Sequence, residues 1–449
     1  MDVTRPPTCA FLTLGCKVNQ HDTEALKESF RRSGYRVVPF TAPADVYVVN
    51  TCAVTAEGQA KSRRAVRRAR ARAPGALVAA VGCYPQVAPD QAGSDGADLV
   101  VGTDGHARLP QMVHELTRGS GPVRVEVRGY PRHTPYQEMA VADTQERTRA
   151  TLKVQDGCDL QCSYCLIPRA RGPARSREPE GVRREAARLV QAGHREIVLV
   201  GICLGAYGAD LQPRRELADA VQACLEADGR HRVRLSSVEV TQVTPRLVNL
   251  LATEPRLCRH LAVPLQSGSG RILQAMGRGY APEDYTRVAG ELFRRVPGLA
   301  ITTDVMVGFP GETEEDFLAT CGVLETVGLS RLHVFRYSAR PGTPAASLPG
   351  QVPGRLRSER ARHLLVRGRE LAESFRRRFI GETLEVLAEG KQSGCQEGLS
   401  DNYVRLGFAG PSGWRGRFVS VRVVRVEGET VRGVAVGEPR DSCEGRRIG

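Results

Sequence analysis

The sequence predicts an α/β protein with three domains: an N-terminal parallel α/β sheet, a central partial (βα)6 barrel and a small, OB-like antiparallel β-barrel. The chain of 449 residues has the length of about three ordinary domains. Predicted strands and helices alternate through most of it, and short β-rich runs replace them after Gly381. The predicted boundaries are 8–116 for the first domain, 117–146 for a linker, 147–377 for the central barrel and 378–443 for the last domain.

Three apolar runs typical of β-strands lie in the first domain: Cys9–Leu14, Asp45–Val49 and Ala76–Val81. Helical patterns follow the first two, one capped by Asp22 or Thr23 and one over residues 57–72. Strands that alternate with helices form parallel sheets with right-handed crossovers. We therefore expect the carboxyl ends of these strands to share one edge, where such sheets bind ligands.

Six strands are predicted in the central domain: Thr151–Val154, Glu196–Val200, Arg232–Leu235, His260–Pro264, Ile301–Val307 and Leu332–Phe335. Six βα units in succession favour an open or partial barrel over a second small sheet. Three loops rich in small and polar residues follow strands, at the end where βα barrels place their sites: 201–208, 265–270 and 307–313.

An arginine-rich helical segment is predicted over 355–378, and β-rich runs follow it: Thr383–Leu387, Tyr403–Phe408 and Phe418–Val426. The whole chain has 64 Lys and Arg against 50 Asp and Glu, a net charge of +14, which favours a nucleic-acid partner. The basic runs at 61–72 and 355–378 are either solvated helix faces or an RNA surface. Aromatic residues of the last domain favour the RNA surface, because such barrels bind RNA by stacking and charge: Tyr403, Phe408, Trp414 and Phe418.

The chain shows no secretion signal and no apolar run long enough to span a membrane, so we expect a cytoplasmic protein without membrane association. Its 13 cysteines are an odd number scattered over the whole length. This distribution makes a disulfide framework improbable and indicates that some thiols bind metal or do chemistry.

Cys158, Cys162 and Cys165 form a C-x3-C-x2-C motif directly after a predicted strand. Three thiolates at this spacing predict the ligands of a cubane iron–sulfur cluster, with one iron left open for a substrate or cofactor. A zinc site would need a fourth ligand nearby, and His194 is far downstream. A chance group of buried thiols is the third alternative.

Cys16, Cys52 and Cys83 each follow one strand of the first domain, although no local spacing connects them. Equivalent positions in one parallel sheet predict that the three thiols converge and hold a second cluster. Isolated strand-end cysteines are more often core residues, and this remains the alternative. The other seven show no shared spacing and are expected to be buried or incidental: Cys9, Cys203, Cys224, Cys258, Cys321, Cys395 and Cys443.

Six segments, in order, carry a resemblance to a known family: LGCKVNQHDTEAL, VVNTCAVT, GCYPQ, RTRATLKVQDGCDLQCSYCLIPRARG, PLQSGS and VMVGFPGETEEDF. The chain resembles the radical S-adenosylmethionine methylthiotransferases over about residues 8–440, and its last domain is similar to the TRAM RNA-binding module. The resemblance implies two 4Fe-4S clusters, one on Cys158, Cys162 and Cys165 that binds S-adenosylmethionine, and one on Cys16, Cys52 and Cys83 that carries the sulfur. It also implies four contacts to the cofactor: Tyr164, Glu239, Gln266 and Gly308.

The resemblance further implies a radical reaction in which a 5′-deoxyadenosyl radical removes hydrogen from an unactivated carbon, which then receives a methylthio group. General acid–base groups do not help to break such a bond, and no catalytic side chain is predicted. LGCKVN, SSVEV and IPRARG look most like the bacterial subgroup that modifies C2 of N6-threonylcarbamoyladenosine beside the tRNA anticodon. The alternatives are isopentenyladenosine in tRNA, a ribosomal protein, and a non-catalytic Fe-S protein that binds RNA.

The partners implied are tRNA, bound at its anticodon stem-loop, an electron donor such as flavodoxin or ferredoxin, and a sulfur donor. A monomer is the expected oligomeric state.

Overall fold

The computed structural model of the protein describes residues 5–117, 123–131, 134–139, 141, 148–392 and 394–443. The chain divides into two compact units. The first consists of Met1–Thr144, Gln155–Ser176 and Ser338–Thr343, and the second of Gln145–Val154, Arg177–Tyr337 and Pro344–Gly449. Both sets of three cysteines singled out by the sequence therefore belong to the first unit.

Six parallel strands form the sheet of the first unit: β1 (Thr8–Thr13), β2 (Arg36–Val38), β3 (Val46–Thr51), β4 (Leu77–Gly82), β5 (Leu99–Val101) and β6 (Arg124–Glu126). Their order is β2-β1-β3-β4-β5-β6. The order reverses at β1, and doubly wound sheets bind ligands at such a switch point. The three predicted strands and the parallel sheet are confirmed, and β2, β5 and β6 extend it.

The strand β6 lies inside the segment predicted as a linker and pairs with β5. This strand has only three residues, and Val125 is its single apolar one, so the sequence signal was too weak to predict it. It forms because the sheet offers an open edge. The rest of the predicted linker includes residues 118–122, 132–133, 140 and 142–147, which lie outside the described residues.

Five helices flank this sheet: α1 (Lys17–Arg32), α2 (Ala56–Arg72), α3 (Cys83–Val87), α4 (Pro89–Ser94) and α5 (Leu109–Thr117). The predicted cap of α1 is wrong, because the helix begins at Lys17 and places Asp22 and Thr23 in its interior. Both polar side chains are instead buried among partners from other elements. Asp22 binds Arg171, and the hydroxyl of Thr23 accepts a hydrogen bond from Asn50.

The chain passes to the second unit with β7 (Arg149–Lys153) and returns to the first for β8 (Gln155–Asp156), α6 (Ile167–Arg171) and β9 (Arg175–Ser176). β8 and β9 pair in antiparallel fashion. The C-x3-C-x2-C loop lies between these two short strands, so it is closed at its base.

Five more strands complete the barrel of the second unit: β10 (Glu196–Val200), β11 (Arg232–Leu235), β12 (His260–Ala262), β13 (Ala300–Val307) and β14 (Arg331–Arg336). They form two parallel sheets, β7-β10-β11 and β12-β13-β14. A parallel bridge between Ser237 and Ala262 joins the two. The six strands thus stand in chain order, which confirms the partial (βα)6 barrel.

Six helices follow or connect these strands: α7 (Pro179–Gln191), α8 (Leu217–Leu225), α9 (Pro245–Thr253), α10 (Gly270–Ala275), α11 (Pro282–Arg295) and α12 (Glu314–Val327). Alternate strand residues pack against them in one apolar core, as the period of two along a strand requires. No helix of the described residues is long and apolar enough to cross a membrane.

The long helix α13 (Gly354–Arg377) leads to five strands of a closed barrel: β15 (Thr383–Gln392), β16 (Cys395–Ser400), β17 (Arg405–Phe408), β18 (Phe418–Glu427) and β19 (Thr430–Ala435). The predicted small barrel is confirmed. One pair, β17 and β19, is parallel rather than antiparallel. An odd number of strands cannot close into a ring in which every neighbour is antiparallel.

The aromatic residues of this barrel do not form the expected stacking surface. Phe408 and Phe418 are 2% and 0% exposed and belong to the barrel core. Tyr403 stacks on His260 with ring centroids 4.0 Å apart, and Trp414 packs against Phe408. The prediction that Phe408 and Phe418 stack with RNA bases is therefore wrong, because the small barrel needs its large side chains to fill its own interior.

Candidate functional site

Three cysteines follow three neighbouring strands of the parallel sheet. Cys16 follows β1, Cys52 follows β3 directly, and Cys83 follows β4 directly. The strands pair in register up to their carboxyl ends, with Thr51 opposite Gly82. The predicted arrangement of these thiols along one sheet edge is therefore present.

Gly15 lets the ends of β1 and β3 approach each other. Its φ is +109°, and a Cβ at this position would lie 3.0 Å from Cys52 Cβ and 3.3 Å from Cys52 Sγ. A side chain is thus disfavoured both by the backbone conformation and by the thiol next to it. This close approach brings the Cys16 segment beside Cys52.

Asn19 fixes the loop that carries Cys16. Its Nδ2 donates to the carbonyl oxygens of Leu14 and Thr51, both at 2.8 Å. The Cys16 thiol lies 3.7 Å from Asn19 Oδ1. One buried amide therefore ties two strand ends and one of the three cysteines together.

The three thiols differ in exposure: Cys16 is exposed, Cys52 is half-buried and Cys83 is buried. Burial raises the pKa of Cys83 to about 12, although Arg171 lowers it. Burial also raises the pKa of Cys52, and the charges of Arg171 and Arg340 act against that rise. The two inner thiols are accordingly neutral unless a metal takes their protons.

Two buried guanidinium groups flank this edge, and each has an Nε atom without a hydrogen-bond partner among the described residues. Arg171 is 1% exposed and Arg340 is 5% exposed. Arg340 is otherwise held by the side-chain oxygen of Gln59. Their positive charges act on the Cys52 thiol at this edge.

The second cysteine set lies in the loop between β8 and α6. Cys158 N–H donates to the carbonyl of Gly172 at 3.0 Å, and Cys165 N–H donates to that of Cys162 at 3.0 Å. The Cys165 sulfur accepts the N–H of Ile167 at 3.4 Å. All three thiols are half-buried, so the loop presents them at a surface.

Gly157 closes the base of this loop. It adopts φ +72°, and a Cβ there would stand 1.9 Å from the carbonyl oxygen of Pro173. Main-chain atoms surround the position, so no larger residue fits without moving the strand that precedes Cys158.

The three thiols at the sheet edge have a setting that suits an iron–sulfur cluster. No three His, Cys, Asp or Glu side chains in the described ranges converge closely enough to hold one ion. A 4Fe-4S cluster takes each thiolate on a different iron, so its ligands stand farther apart. Three thiols beside two buried cations with unpaired Nε atoms supply both the ligands and the positive charge that such an anionic group needs.

The four residues implied as cofactor contacts divide between the units. Tyr164 lies half-buried in the cysteine loop of the first unit, and Glu239, Gln266 and Gly308 follow three successive barrel strands of the second. Gln266 has a φ of +63°, an unusual conformation for a residue with a side chain. Its backbone is held by Asp304 and Met306 of β13.

Glu239 and Gly308 already have protein partners. The carboxylate of Glu239 accepts a hydrogen bond from Arg278. The N–H of Gly308 donates to both carboxylate oxygens of Glu312 at 3.0 Å, and Arg360 pairs with Glu312. A side chain at position 308 would overlap Arg357 of helix α13, so the glycine allows this helix to lie close to the end of β13.

The sequence interpretation missed Arg171 and Asn19, although both stand inside the quoted segments IPRARG and LGCKVNQ. A basic residue six positions after the last cysteine of the motif was the available signal. Of the seven cysteines expected to be incidental, four are buried: Cys9, Cys203, Cys224 and Cys258.

Two family models match the chain, one around each cysteine set. Residues 8–102 match the uncharacterized protein family UPF0004, and residues 152–324 match the radical SAM superfamily. The first stretch contains Cys16, Cys52 and Cys83, and the second contains Cys158, Cys162 and Cys165.

Among similar proteins is the threonylcarbamoyladenosine tRNA methylthiotransferase MtaB of Bacillus subtilis, 38% identical over 95% of this chain and 96% of its own. MtaB of Thermotoga maritima is 39% identical over 93% and 95%. The ribosomal protein uS12 methylthiotransferase RimO of Desulforudis audaxviator is 37% identical over 87% of each chain.

Among solved structures, the radical S-adenosylmethionine methyltransferase TsrM of Kitasatospora setae has the same fold over 76% of this chain and 77% of its own. The TM-score is 0.58 at 17% identity. Full-length relatives with more than a third of their residues identical, together with the paired cysteine sites, place the chain in the radical S-adenosylmethionine methylthiotransferase family.

Proposed function

We propose that the protein adds a methylthio group to C2 of N6-threonylcarbamoyladenosine in tRNA, beside the anticodon, in the cytoplasm. The observation that carries this proposal is the presence of two separate three-cysteine sites in one compact unit, one on a loop and one along a sheet edge. Methylthio transfer needs two functions, radical generation and sulfur delivery, and two sites can divide them. The relatives that act on threonylcarbamoyladenosine support the choice of substrate.

In this proposal Cys158, Cys162 and Cys165 hold one 4Fe-4S cluster, and Cys16, Cys52 and Cys83 hold the other. When bound, the first supplies the electron that cleaves S-adenosylmethionine, and the second supplies the sulfur. The protein's own residues fix both ligand sets: Asn19 holds the Cys16 loop, and the N–H groups of the cysteine loop hold its backbone. The cofactors break the bonds, and the protein positions them.

The barrel residues at the ends of β11, β12 and β13 orient S-adenosylmethionine in this proposal. Gln266 is the best supported, because its strained backbone is maintained by two hydrogen bonds to β13. Tyr164, Glu239 and Gly308 complete the proposed set of contacts.

The tRNA partner accounts for the basic excess. Arg64 and Arg68 on α2, and Arg362 and Arg369 on α13, are exposed and have no ion-pair partner in the described part of the chain. Unpaired arginines are the side chains that phosphates attract. An electron donor such as flavodoxin or ferredoxin and a sulfur donor complete the proposed partners.

Nucleoside mass spectrometry of tRNA tests the proposed substrate directly. Cells that lack the gene are expected to lose the methylthio form of threonylcarbamoyladenosine and to regain it when the gene is returned. The Cys158→Ala variant serves as the inactive control in the same cells. An unchanged tRNA profile contradicts the proposal. Loss of methylthio-isopentenyladenosine from tRNA, or loss of a modification on uS12 in mass spectrometry of the ribosomal proteins, would assign the protein to those substrates.

Gly157→Ala is expected to remove the cluster of the cysteine loop and with it about half of the bound iron. The new Cβ would overlap the carbonyl oxygen of Pro173, so the strand before Cys158 has to move. Iron content after anaerobic reconstitution and absorbance of the cluster measure the effect.

Gly193→Ala is the matched control, because Gly193 also has a positive φ, of +97°, but nothing lies within 4 Å of its Cβ position. It is expected to retain its iron. Equal iron in the Gly157→Ala variant and the unsubstituted protein would show that the base of the loop adapts to a side chain.

A further inference from the structure

Arg171 ends α6, the helix that follows the cysteine loop, and both tips of its buried side chain are anchored. Nη1 donates to Asp22 at 3.0 Å and to Asp156 at 3.2 Å, and Nη2 donates to Asn19 Oδ1 at 2.6 Å. A planar guanidinium held at both tips cannot turn. The direction of its third donor, Nε, is therefore fixed.

The partners of Arg171 lead to both cysteine sites of the first unit. Asn19 contacts the Cys16 thiol and holds the end of β3. Asp156 ends β8 and stands two residues before Cys158. A single guanidinium thus connects the sheet edge to the base of the cysteine loop.

Helix α6 brings Arg171 next to the element that begins with Cys83. α6 packs against α3, which begins with Cys83, and Ala170 belongs to the same apolar cluster as that cysteine. Arg171 Nε has no hydrogen-bond partner among the described residues, although it is fully buried.

Building on the proposed function, we propose that Arg171 is a positioning residue for the second cluster, whose Nε–H donates to the sulfur of the Cys83 thiolate. Hydrogen bonds to ligating sulfur and nearby positive charge stabilise the reduced form of an iron–sulfur cluster and raise its potential. The same side chain fixes the base of the Cys158 loop through Asp156. Its role is therefore to set the potential of one site while it holds the other in place.

Arg175 offers a matched comparison in the same segment. It is 6% exposed and also lies near Asp156, with 3.6 Å between Nη2 and the carboxylate. Its Nη1 donates to the carbonyl oxygens of Arg171 and Pro173 rather than toward a thiol. A substitution there removes a buried charge of similar setting without removing a donor to Cys83.

The test is a redox titration, followed by electron paramagnetic resonance, of full-length protein in which Cys158, Cys162 and Cys165 are alanine. Only the second cluster remains in this background. Arg171→Gln is expected to make reduction of the cluster about tenfold less favourable. For one electron this corresponds to a midpoint potential that is about 59 mV more negative. Arg171→Lys keeps the charge without Nε and is expected to shift it by less, and Arg175→Gln is expected to leave it unchanged.

An unchanged midpoint in both Arg171 variants would overturn the proposal, as would an equal shift in the Arg175 variant. If Arg171→Gln does not retain iron, the midpoint potentials of Arg171→Lys and Arg175→Lys are compared instead. A shift in the Arg171 variant alone supports the proposal, and equal potentials overturn it. A background protein that binds no iron at all would instead contradict the second cluster and hence the proposed function. The two failures are thus distinguishable.

Discussion

Replacing Cys16, Cys52 and Cys83 together by alanine is expected to abolish methylthio transfer while S-adenosylmethionine cleavage continues. The three thiols lie at the ends of three neighbouring parallel strands, whereas Cys158, Cys162 and Cys165 lie in a separate loop. Removing the first set leaves the backbone hydrogen bonds of that loop intact. The variant should therefore lose about half of its iron and all sulfur transfer but still form 5′-deoxyadenosine.

The measurements are iron per chain, 5′-deoxyadenosine by chromatography and methylthio nucleoside by mass spectrometry, all on anaerobically reconstituted protein. A triple replacement of Cys321, Cys395 and Cys443, which are also half-buried, controls for the number of substitutions and should behave like the unsubstituted protein. The reciprocal variant of Cys158, Cys162 and Cys165 should lose cleavage as well. Methylthio transfer by the Cys16, Cys52 and Cys83 variant would exclude these thiols as the sulfur-delivery site.

Glu196→Ala is expected to destabilise the second unit by about 3–5 kcal/mol, the cost of leaving buried charges without their partner. Glu196 is completely buried at the start of β10, and Arg232 and Arg234 each donate to its carboxylate from Nε at 2.7 Å. These arginines also donate to carbonyl oxygens of the C-terminal barrel, Arg232 to Leu399 at 2.7 Å and Arg234 to Ser400 at 2.9 Å. One carboxylate therefore binds both of the arginines that attach the two barrels of this unit to each other.

The only tryptophan of the chain, Trp414, lies in the C-terminal barrel and reports its unfolding by fluorescence in urea. Glu359→Ala is the control, because its ion pair with Arg355 is exposed and is expected to contribute less than about 1 kcal/mol. Equal urea midpoints for the two variants would contradict the proposed role of Glu196.

The contribution of Glu196 should also depend on pH. Burial alone would raise the pKa of Glu196, but Arg234 and Arg232 outweigh it and hold the pKa well below its usual range. A lowered pKa in the folded state gives stability that is complete above the unfolded value and is lost as the pH falls toward the folded one. The difference in unfolding free energy between the protein and its Glu196→Gln variant should therefore be constant above the unfolded pKa of a glutamate, about 4.3, and shrink progressively as the pH falls below it.

The order of strands and helices and the two cysteine sets were predictable from the sequence because they depend on local signals. A buried parallel strand such as β3 is a continuous apolar run, and Cys158, Cys162 and Cys165 are neighbours within eight positions. The short strands β2, β5 and β6 carry too few residues for such a signal. They form because a neighbouring strand gives each of them an edge to pair with: β1 for β2, β4 for β5 and β5 for β6.

Only the tertiary structure decided which polar side chains face one another. Asp22 is a residue type that often caps helices, yet its carboxylate binds Arg171, which is 149 positions away in the chain. Phe408 is a residue type that can stack on RNA bases, yet its side chain fills the barrel core. By itself, the sequence determined the long strands and helices, the family and the two candidate cluster sites. Long-range packing determined the partners of the buried charges, because a buried charge takes whichever opposite charge or amide the fold brings to it, at any distance along the chain.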